Sequence, residues 1–388
     1  MRPTGFAAGI KREVLRLTSR TMYFFGMVLT PIFMAVFFLS LLSPGLPDRV
    51  PTAIVDLDHS QMSRTVTRSI NAMQTVSVVK SLETYDDALA SVRRGDVFGF
   101  FVIPNDFERD ALAGNSPTLE YYSNMTYFVP GTLAFKSFKT VAVSTAAGVV
   151  KQTLSSLGLN EQFAGALIQP MTIDIFPLNN PWMSYNVYLT PSFTFCTFVL
   201  MILLMTVFSI TTEIKEGTSP QWIATSKGSI SLALATKLLP QTVIFTAVGW
   251  FILWLMFGMS HLVLLGSIWV MALATFLTVL AAQCFATFVA SLLPNPRLAL
   301  IVCALTGILA FSFTGFSFPV QSMYGYLGVF SWLAPIRYWF LIYINEALNG
   351  VDLYYSRYYF AALIAFLFLP ATMLWHLKRA CLKPVYVP

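Results

Sequence analysis

Charged residues are scarce in this sequence. Of its 388 residues only 11% are charged, and 56% are hydrophobic. Soluble domains are usually about 25% charged and about 45–50% apolar. This shortage of charge excludes an ordinary soluble globular protein and is typical of a chain that lies mostly in lipid. We therefore expect an integral membrane protein.

Cysteine and histidine are also scarce. The four cysteines and three histidines form no CxxC or Cys/His ligand spacing, so we predict neither a metal site nor a disulfide scaffold. There is no GxxxxGK[ST] phosphate loop, no GxSxG and no HExxH. We therefore expect no catalytic residue, no bound cofactor and no ATP hydrolysis by this chain. Asp56 and Asp58 could form a catalytic pair, but a solvated turn that caps the next helix is the favoured interpretation.

The excess of positive charge does not indicate nucleic-acid binding. The net charge is +6, but the basic residues are spread over short segments beside apolar runs instead of forming one basic face. In such positions they orient a membrane protein.

Apolar runs long enough to cross a bilayer, about 20 residues each, occur six times. This pattern predicts an α-helical membrane protein with six transmembrane helices. The predicted spans are Thr21–Leu42, Leu189–Thr211, Leu239–Phe257, Leu262–Leu292, Leu298–Phe316 and Tyr358–Trp375.

The basic residues predict the orientation, because short cytoplasmic segments are enriched in Lys and Arg. With both termini in the cytoplasm, half of the 24 Lys and Arg fall in short inside segments. We therefore expect a multi-pass protein of the cell (inner) membrane with both termini cytoplasmic. The inside residues are Arg2, Lys11, Arg12, Arg16, Arg20, Lys215, Lys227, Lys237, Arg297, Lys378, Arg379 and Lys383.

The long segment between the first two spans, residues 43–188, is then extracytoplasmic. It alternates apolar runs such as PTAIVD, VSVVKSL, VFGFFVIP and TLEYYSN with stretches of helical spacing such as QMSRTVTRSINAM. This alternation predicts an α/β domain inserted between helices 1 and 2. A helical stretch from Val129 to about Leu167 and a last strand in TIDIFPL are expected before the chain returns to the membrane.

The predicted spans contain no Asp, Glu, Lys or Arg. Proton- and ion-coupled transporters need such groups as relays within the membrane. If this protein transports, its energy must therefore come from elsewhere, and an ATPase on the cytoplasmic side is the favoured source.

The segment TTEIKEGTSPQWIATSKGSISLALATKLLP follows the second span. It resembles the first cytoplasmic loop of type-2 ABC exporter permeases, with an acidic pair, Gly-Thr, a short helix and a later Lys. The matching residues are Glu213, Glu216, Gly217, Thr218 and Lys237. The resemblance implies that loop 212–238 is a coupling loop that docks on an ATPase. Where the family has a charged residue, this chain has Ile214.

A second segment, FTGFSFPVQSMYGYLGVFSWLAPIRYWFLIYINEALNGVDL, resembles the stretch between the fifth and sixth spans of the same family. The resemblance implies helices over 317–357 that re-enter the outer leaflet. Arg337 and Glu346 could gate the exit there, but a pair snorkelling to the interface is favoured, and Trp332, Tyr338, Trp339 and Tyr343 are interpreted as an interfacial aromatic belt. The residues assigned to this region are Gly315, Phe316, Pro319, Pro335, Arg337, Tyr338 and Glu346.

The resemblance covers essentially the whole chain and implies the exporter branch, including drug and multidrug exporters, with a large extracytoplasmic domain. The implied function is a permease that exports a hydrophobic or amphipathic substrate, driven by a separate ATPase that binds ATP and Mg. Implied partners are ABC ATPase subunits and a second permease, identical or related, and further candidates are a membrane fusion protein and an outer-membrane channel. The alternative is a membrane-anchored sensor or scaffold whose extracytoplasmic domain binds a ligand.

The predicted organisation begins with an amphipathic segment, residues 1–20, interpreted as a basic interfacial helix that anchors the first span and could also contact a partner. The remaining predicted segments are the first span at 21–42, the α/β domain at 43–188, spans 2–6 at 189–375 and a cytoplasmic tail at 376–388.

Overall fold

The computed structural model describes residues 4–113, 115, 117–126, 128–156, 180, 184–316 and 318–384. The predicted strand TIDIFPL and the end of the helical stretch before it lie outside these residues. In chain order the helices are α1 (Phe6–Ser19), α2 (Thr21–Leu41), α3 (Gln61–Asn71), α4 (Tyr85–Arg94), α5 (Phe107–Leu112), α6 (Phe128–Ser156), α7 (Tyr185–Lys215), α8 (Ser219–Thr225), α9 (Ile230–Met259), α10 (Ile268–Leu292), α11 (Pro296–Phe313), α12 (Gly325–Leu333), α13 (Pro335–Leu348), α14 (Leu353–Thr372) and α15 (Leu374–Leu382).

The chain divides into two compact units. One comprises Met1–Gly45 with Pro177–Pro388, and the other comprises Leu46–Phe176.

The first unit is helical. Within the described residues, α2, α7, α9, α10 and α11 are each long and apolar enough to cross a membrane. Two bent pairs of helices raise this number from five to as many as seven: α12 with α13, bent by 89°, and α14 with α15, bent by 43°. An α-helix is suited to the membrane interior because its backbone N–H and C=O groups form hydrogen bonds with one another and therefore need no water.

Helix α7 lies at the centre of this unit. In its most apolar stretch 72% of the residues are buried, against 17% in α2. It packs against α2, α10 and α11, and α10 in turn packs against α9, α13 and α14. The faces of α2 and α11 that remain exposed are apolar, as expected of surfaces that meet lipid or another membrane protein.

Several helix boundaries differ from the predicted spans because polar caps, not apolarity, decide where a helix begins. The hydroxyl of Ser229 accepts a hydrogen bond from the Leu232 amide and starts α9 before the predicted span. The hydroxyl of Ser267 accepts one from the Trp269 amide and starts α10 later than predicted. The last predicted span, Tyr358–Trp375, corresponds to the bent pair α14 and α15.

Within the described residues, the second unit contains the strands β1 (Val50–Asp56), β2 (Val76–Leu82), β3 (Gly99–Ile103) and β4 (Glu120–Ser123). They form one sheet in the order β2-β1-β3-β4. Strand β1 pairs in parallel with both β2 and β3, and β4 runs antiparallel to β3.

Both faces of this sheet are covered, which is why its central strands are continuous apolar runs. Along β1, Ile54 packs on one face with α3, whereas Ala53 and Val55 pack on the other with α4. Side chains alternate across a strand, so one run supplies both cores. Helix α4 begins at a Thr84 cap and ends at Gly95, whose φ of +79° favours glycine.

Candidate coupling site

The segment 213–218 ends α7 with a Schellman motif. The Thr218 amide bonds to the carbonyl of Glu213 at 2.9 Å, and the Gly217 amide bonds to the carbonyl of Ile214 at 3.1 Å. Gly217 has a φ of +68°, the left-handed conformation that this motif requires at that position. The Gly-Thr pair therefore turns the chain sharply at the end of a long apolar helix.

The short helix α8 follows this turn and presents two different faces. Trp222 and Ile223 are buried, and the Trp222 indole donates to the Ala233 carbonyl at 3.2 Å. Gln221 and Ala224 are exposed on the opposite side. Contacts with α9 therefore hold the buried face of α8 in place, and the opposite face is exposed to solvent.

Glu213 is completely buried beside this turn. Arg12 donates to both of its carboxylate oxygens, at 2.8 and 2.7 Å, in the bidentate arrangement that favours Arg over Lys. Arg16 lies 2.7 Å and Lys237 3.1 Å from Oε1, and the Thr218 hydroxyl bonds to Oε2. Three cations thus converge on one buried carboxylate.

Glu13 supplies a second buried carboxylate to the same group. Lys237 donates to its Oε2 at 2.8 Å, and Gln241 donates to its Oε1 at 3.0 Å. Gln241 also lies 3.0 Å from the Ser209 hydroxyl of α7. Both side chains of the Lys237–Glu13 pair are at most 2% exposed. Burial of charge is costly unless each ion is paired and hydrogen-bonded, and here they are.

The ion pairs around Glu216, at the edge of this group of charged residues, are more exposed to solvent. Arg16 lies 3.3 Å and Arg20 2.7 Å from the Glu216 carboxylate, which is 33% exposed. Burial alone would lower the pKa of Arg16, but the negative charge of Glu213, with smaller contributions from Tyr23 and Glu13, outweighs it, so its pKa lies above the usual value. We call Arg12, Glu13, Arg16, Glu213, Lys237 and Gln241 the charge cluster.

Helix α1 is held close to the bundle by this charge cluster. Gly9 approaches α9 so closely that a Cβ there would lie 2.6 Å from the Thr236 hydroxyl. The Gly5 amide bonds to the Thr225 carbonyl at the end of α8, at 2.8 Å. The chain therefore joins α1, α7, α8 and α9 into one structure.

Helix α15 contacts α8 from another side. The Ser219 hydroxyl donates to the Cys381 carbonyl at 2.8 Å, and the His376 ring lies 2.6 Å from the Ser291 carbonyl at the end of α10. The position of α8 thus depends on elements from both ends of the sequence.

The residues predicted for the outer-leaflet region lie around α12 and α13. Gly315 has a φ of +96°, and the Phe316 ring packs on Phe193 and Phe340 at 5.5 and 5.8 Å. Pro319 precedes a 3-10 turn, and Pro335 begins α13.

Arg337, Tyr338 and Glu346 bond to other groups of this region and, within the described residues, not to one another. Arg337 contacts the Ser331 hydroxyl, and the Tyr338 hydroxyl donates to the Trp332 carbonyl at 3.0 Å. Glu346 is buried in α13, and within the described residues no ion pair links it to Arg337. The interpretation that both residues snorkel to the interface stays a prediction.

The interpretation of the four aromatic residues as an interfacial belt is wrong in part. Trp332 is exposed, but Trp339 and Tyr343 are completely buried. Trp339 stacks on Phe195 with ring centroids 3.6 Å apart and donates to the Thr275 hydroxyl at 3.0 Å. These two rings join α13 to α7 and α10, which no single-helix pattern reveals.

The sequence of this chain matches the family model described as ABC-2 family transporter protein over residues 21–375. This match covers almost all of the 388 residues. The chain belongs to the ABC-2 transporter family. Among curated proteins, no relative matches it.

Membership of the ABC-2 family agrees with the apolar helices of the first unit. Together they make this chain a multi-pass membrane protein and a permease of an ABC transporter, and membership implies association with an ABC ATPase.

The coupling role of Glu213 and Glu216 in this ABC-2 chain stays a prediction, and for Glu213 that role can only be indirect. Its carboxylate is buried and both of its oxygens accept bonds from internal donors. The reason is that α1 folds back on the end of α7 and brings its arginines to Glu213. Glu216, three residues on, is partly exposed and still bonds to α1.

The charged residues Glu213, Lys237 and Glu346 lie outside the predicted spans but within helices of the first unit. Helices α7 and α9 extend beyond the predicted spans and contain Glu213 and Lys237, and α13 contains Glu346. Sequence reasoning missed Glu13 altogether. A signal was present, since Gly9, Glu13 and Leu17 recur every four residues and all are buried on α1.

Proposed function

We propose that this ABC-2 transporter is the membrane-spanning permease subunit of an ATP-driven exporter. It moves a hydrophobic or amphipathic substrate out of the cytoplasm or the inner leaflet, and a separate ATPase subunit supplies the energy. The observation that supports this most strongly is helix α8, which is fixed by buried contacts on one side and exposed on the other.

In this proposal the exposed face of α8 docks on the ATPase, which binds ATP and Mg. The charge cluster does not touch the ATPase, but it joins α8 to α1, α7 and α9, so that a push on α8 moves these helices together. ATP can drive this motion only if it binds the closed state of the assembly more tightly than the open one.

The proposed topology has six spans, with both termini on the cytoplasmic side of the inner membrane. Helices α2, α7, α9, α10 and α11 supply five spans, and the bent pair of α14 and α15 supplies the sixth. The pair of α12 and α13 re-enters the outer leaflet, and the sharp 89° bend between them supports this. The unit Leu46–Phe176 then lies outside the cytoplasm.

A second permease, identical or related, completes the proposed route. Helix α11 offers an apolar stripe at three- and four-residue spacing that is exposed in the single chain, formed by Leu298, Ile301, Leu305 and Ile308. Such a stripe suits helix packing in a membrane. A membrane fusion protein and an outer-membrane channel are further proposed partners of the outer unit.

Reconstitution into vesicles tests the function directly. We expect purified chain alone to hydrolyse no ATP, and vesicles that hold the chain with its ATPase to move an amphipathic dye in an ATP-dependent way. Vesicles with the ATPase alone are the control. ATP hydrolysis by the purified chain, or dye movement independent of ATP, contradicts the proposal.

Thiol labelling tests the topology. Glu83→Cys lies on the exposed surface of the second unit, and Ala224→Cys lies on the exposed face of α8. We expect an impermeant maleimide to label the first variant in intact cells and the second only after lysis. The background is low because Cys196, Cys303 and Cys381 are buried and Cys284 is half-buried. The reverse labelling pattern would overturn the orientation.

A further inference from the structure

Lysines lie at both ends of the short helix α8. Lys227 follows its last turn, and the side chain of Lys227 lies 3.7 Å from the position that a Cβ on Gly5 would take. Lys383 lies two residues beyond Cys381, whose carbonyl accepts the hydrogen bond from the Ser219 hydroxyl at the start of α8. Both lysines are exposed. The exposed face of α8 is thus flanked by positive charge.

Acidic residues are scarce in the segments that meet around α8. In residues 1–20, 212–238 and 376–388 the acidic side chains are those of Glu13, Glu213 and Glu216. Glu13 and Glu213 are buried and paired with cations inside the charge cluster. Their negative charge is therefore neutralised within the chain and is not presented at its surface.

Glu216 is the most exposed of these acidic residues, and α1 neutralises it. Its carboxylate is 33% exposed and lies 2.7 Å from Arg20 and 3.3 Å from Arg16. Within the described residues, no ion pair joins Lys227 or Lys383 to a carboxylate. The exposed surface around α8 therefore carries net positive charge, because the arginines of α1 pair with the acidic residues that would otherwise offset it.

The charges of this surface lie around a neutral centre. Gln221 and Ala224, in the middle of the exposed face of α8, are uncharged. Charged residues are depleted from the cores of protein interfaces, and the rims of interfaces are polar. Complementary charges on two partners steer their encounter and oppose wrong pairings. A surface with a neutral centre and a cationic rim therefore favours a partner whose own rim is acidic.

We propose that the ATPase binds this surface with a cleft whose rim is lined by Asp and Glu side chains. The exposed face of α8 fills the cleft, and Lys227 and Lys383 pair with the carboxylates of its rim. This inference rests on the proposed docking of α8 on an ATPase, and it identifies that partner by the charge of its surface. Anionic lipid also attracts lysines close to a membrane, so the partner is best measured in neutral lipid.

ATPase binding to the full chain in nanodiscs of phosphatidylcholine tests the inference. The probe is the ABC ATPase that co-purifies with the chain, isolated and titrated onto the discs. We expect Lys227→Glu combined with Lys383→Glu to raise its Kd at least about tenfold in about 0.1 M NaCl, because attraction becomes repulsion. In about 1 M NaCl the difference should fall below about twofold, since the screening length shortens from about 10 Å to about 3 Å.

Two controls accompany the lysine variants. Lys139→Glu makes the same change on the exposed surface of the second unit and should leave the Kd unchanged. Gln221→Glu and Gln221→Lys each add one charge at the centre of α8, and we expect the glutamate to weaken binding more than the lysine, since only the glutamate repels carboxylates. All of these positions are exposed, so each variant should unfold at the wild-type temperature.

Equal Kd values for the wild type and the double lysine variant in neutral lipid would overturn the inference, as would weaker binding of Gln221→Lys than of Gln221→Glu. An effect of the lysines confined to nanodiscs that contain phosphatidylglycerol would also overturn it, because the lysines would then bind lipid. Salt-dependent ATPase binding that needs both lysines, without ATP-driven export, would instead contradict the proposed function and leave the acidic partner surface standing.

Discussion

Glu213→Gln is expected to abolish ATP-driven export and to destabilise the protein by about 3–5 kcal/mol, because it removes one partner of a buried ionic group. The substitution leaves Arg12, Arg16 and Lys237 facing a neutral amide in place of a carboxylate that all three now share. Helix α1 should then separate from α7. Thermal unfolding in detergent and proteolysis of the N-terminal segment measure these effects.

Glu216→Gln is the matched control for this prediction, since the same change is made three residues away at a partly exposed position. We expect at most about 1 kcal/mol from the loss of these exposed pairs. Adding Arg12→Met to Glu213→Gln removes the guanidinium that has lost its carboxylate and should recover part of the lost stability. If Glu213→Gln unfolds at the wild-type temperature and exports normally, the charge cluster has no role in coupling.

Gly9→Val is expected to reduce coupling between ATP hydrolysis and export and to cost about 1–3 kcal/mol, as overpacking of a close contact usually does. Valine is no worse than glycine in a helix, so its intrinsic propensity cannot explain a loss. The loss comes from contact with α9, because even a Cβ at this position lies within 2.9 Å of three Thr236 atoms. Export and ATP hydrolysis measured on the same vesicles give the coupling ratio.

Ala7→Val provides the control on the same helix, since Ala7 is exposed. It adds a side chain of the same shape without a contact to displace, and we expect a coupling ratio near that of the wild type. Comparable losses in Gly9→Val and Ala7→Val would show that α1 tolerates no bulk anywhere and would remove the special role of its contact with α9.

Recognition of the family depended on local pattern. Apolar runs identify membrane helices because the transfer of a segment into lipid depends on the apolar composition of about 20 residues. The order of the residues within the segment has little effect. The loop residues Gly217 and Thr218 were identifiable because a Schellman motif is encoded within a few positions. The strand PTAIVD was identifiable for the same reason, and in the structure it is β1.

The roles of the charged residues could not be predicted in this way. Glu213 and Arg12 are separated by 201 positions, and their pairing depends on how α1 folds back on the bundle. Trp339 and Phe195 meet only because α13 packs on α7. A sequence pattern locates the hydrophobic face of a helix but not the neighbour against which that face is buried.

The sequence by itself determined the membrane class, the apolar helices and the turn at Gly217 and Thr218, because each depends on composition or on contacts a few residues apart. The tertiary structure alone decided that Glu213 is an internal partner of α1 and that Glu346 lies buried with no cation partner among the described residues. Both conclusions follow from the cost of desolvating a charge, which only the surroundings of the folded chain can set.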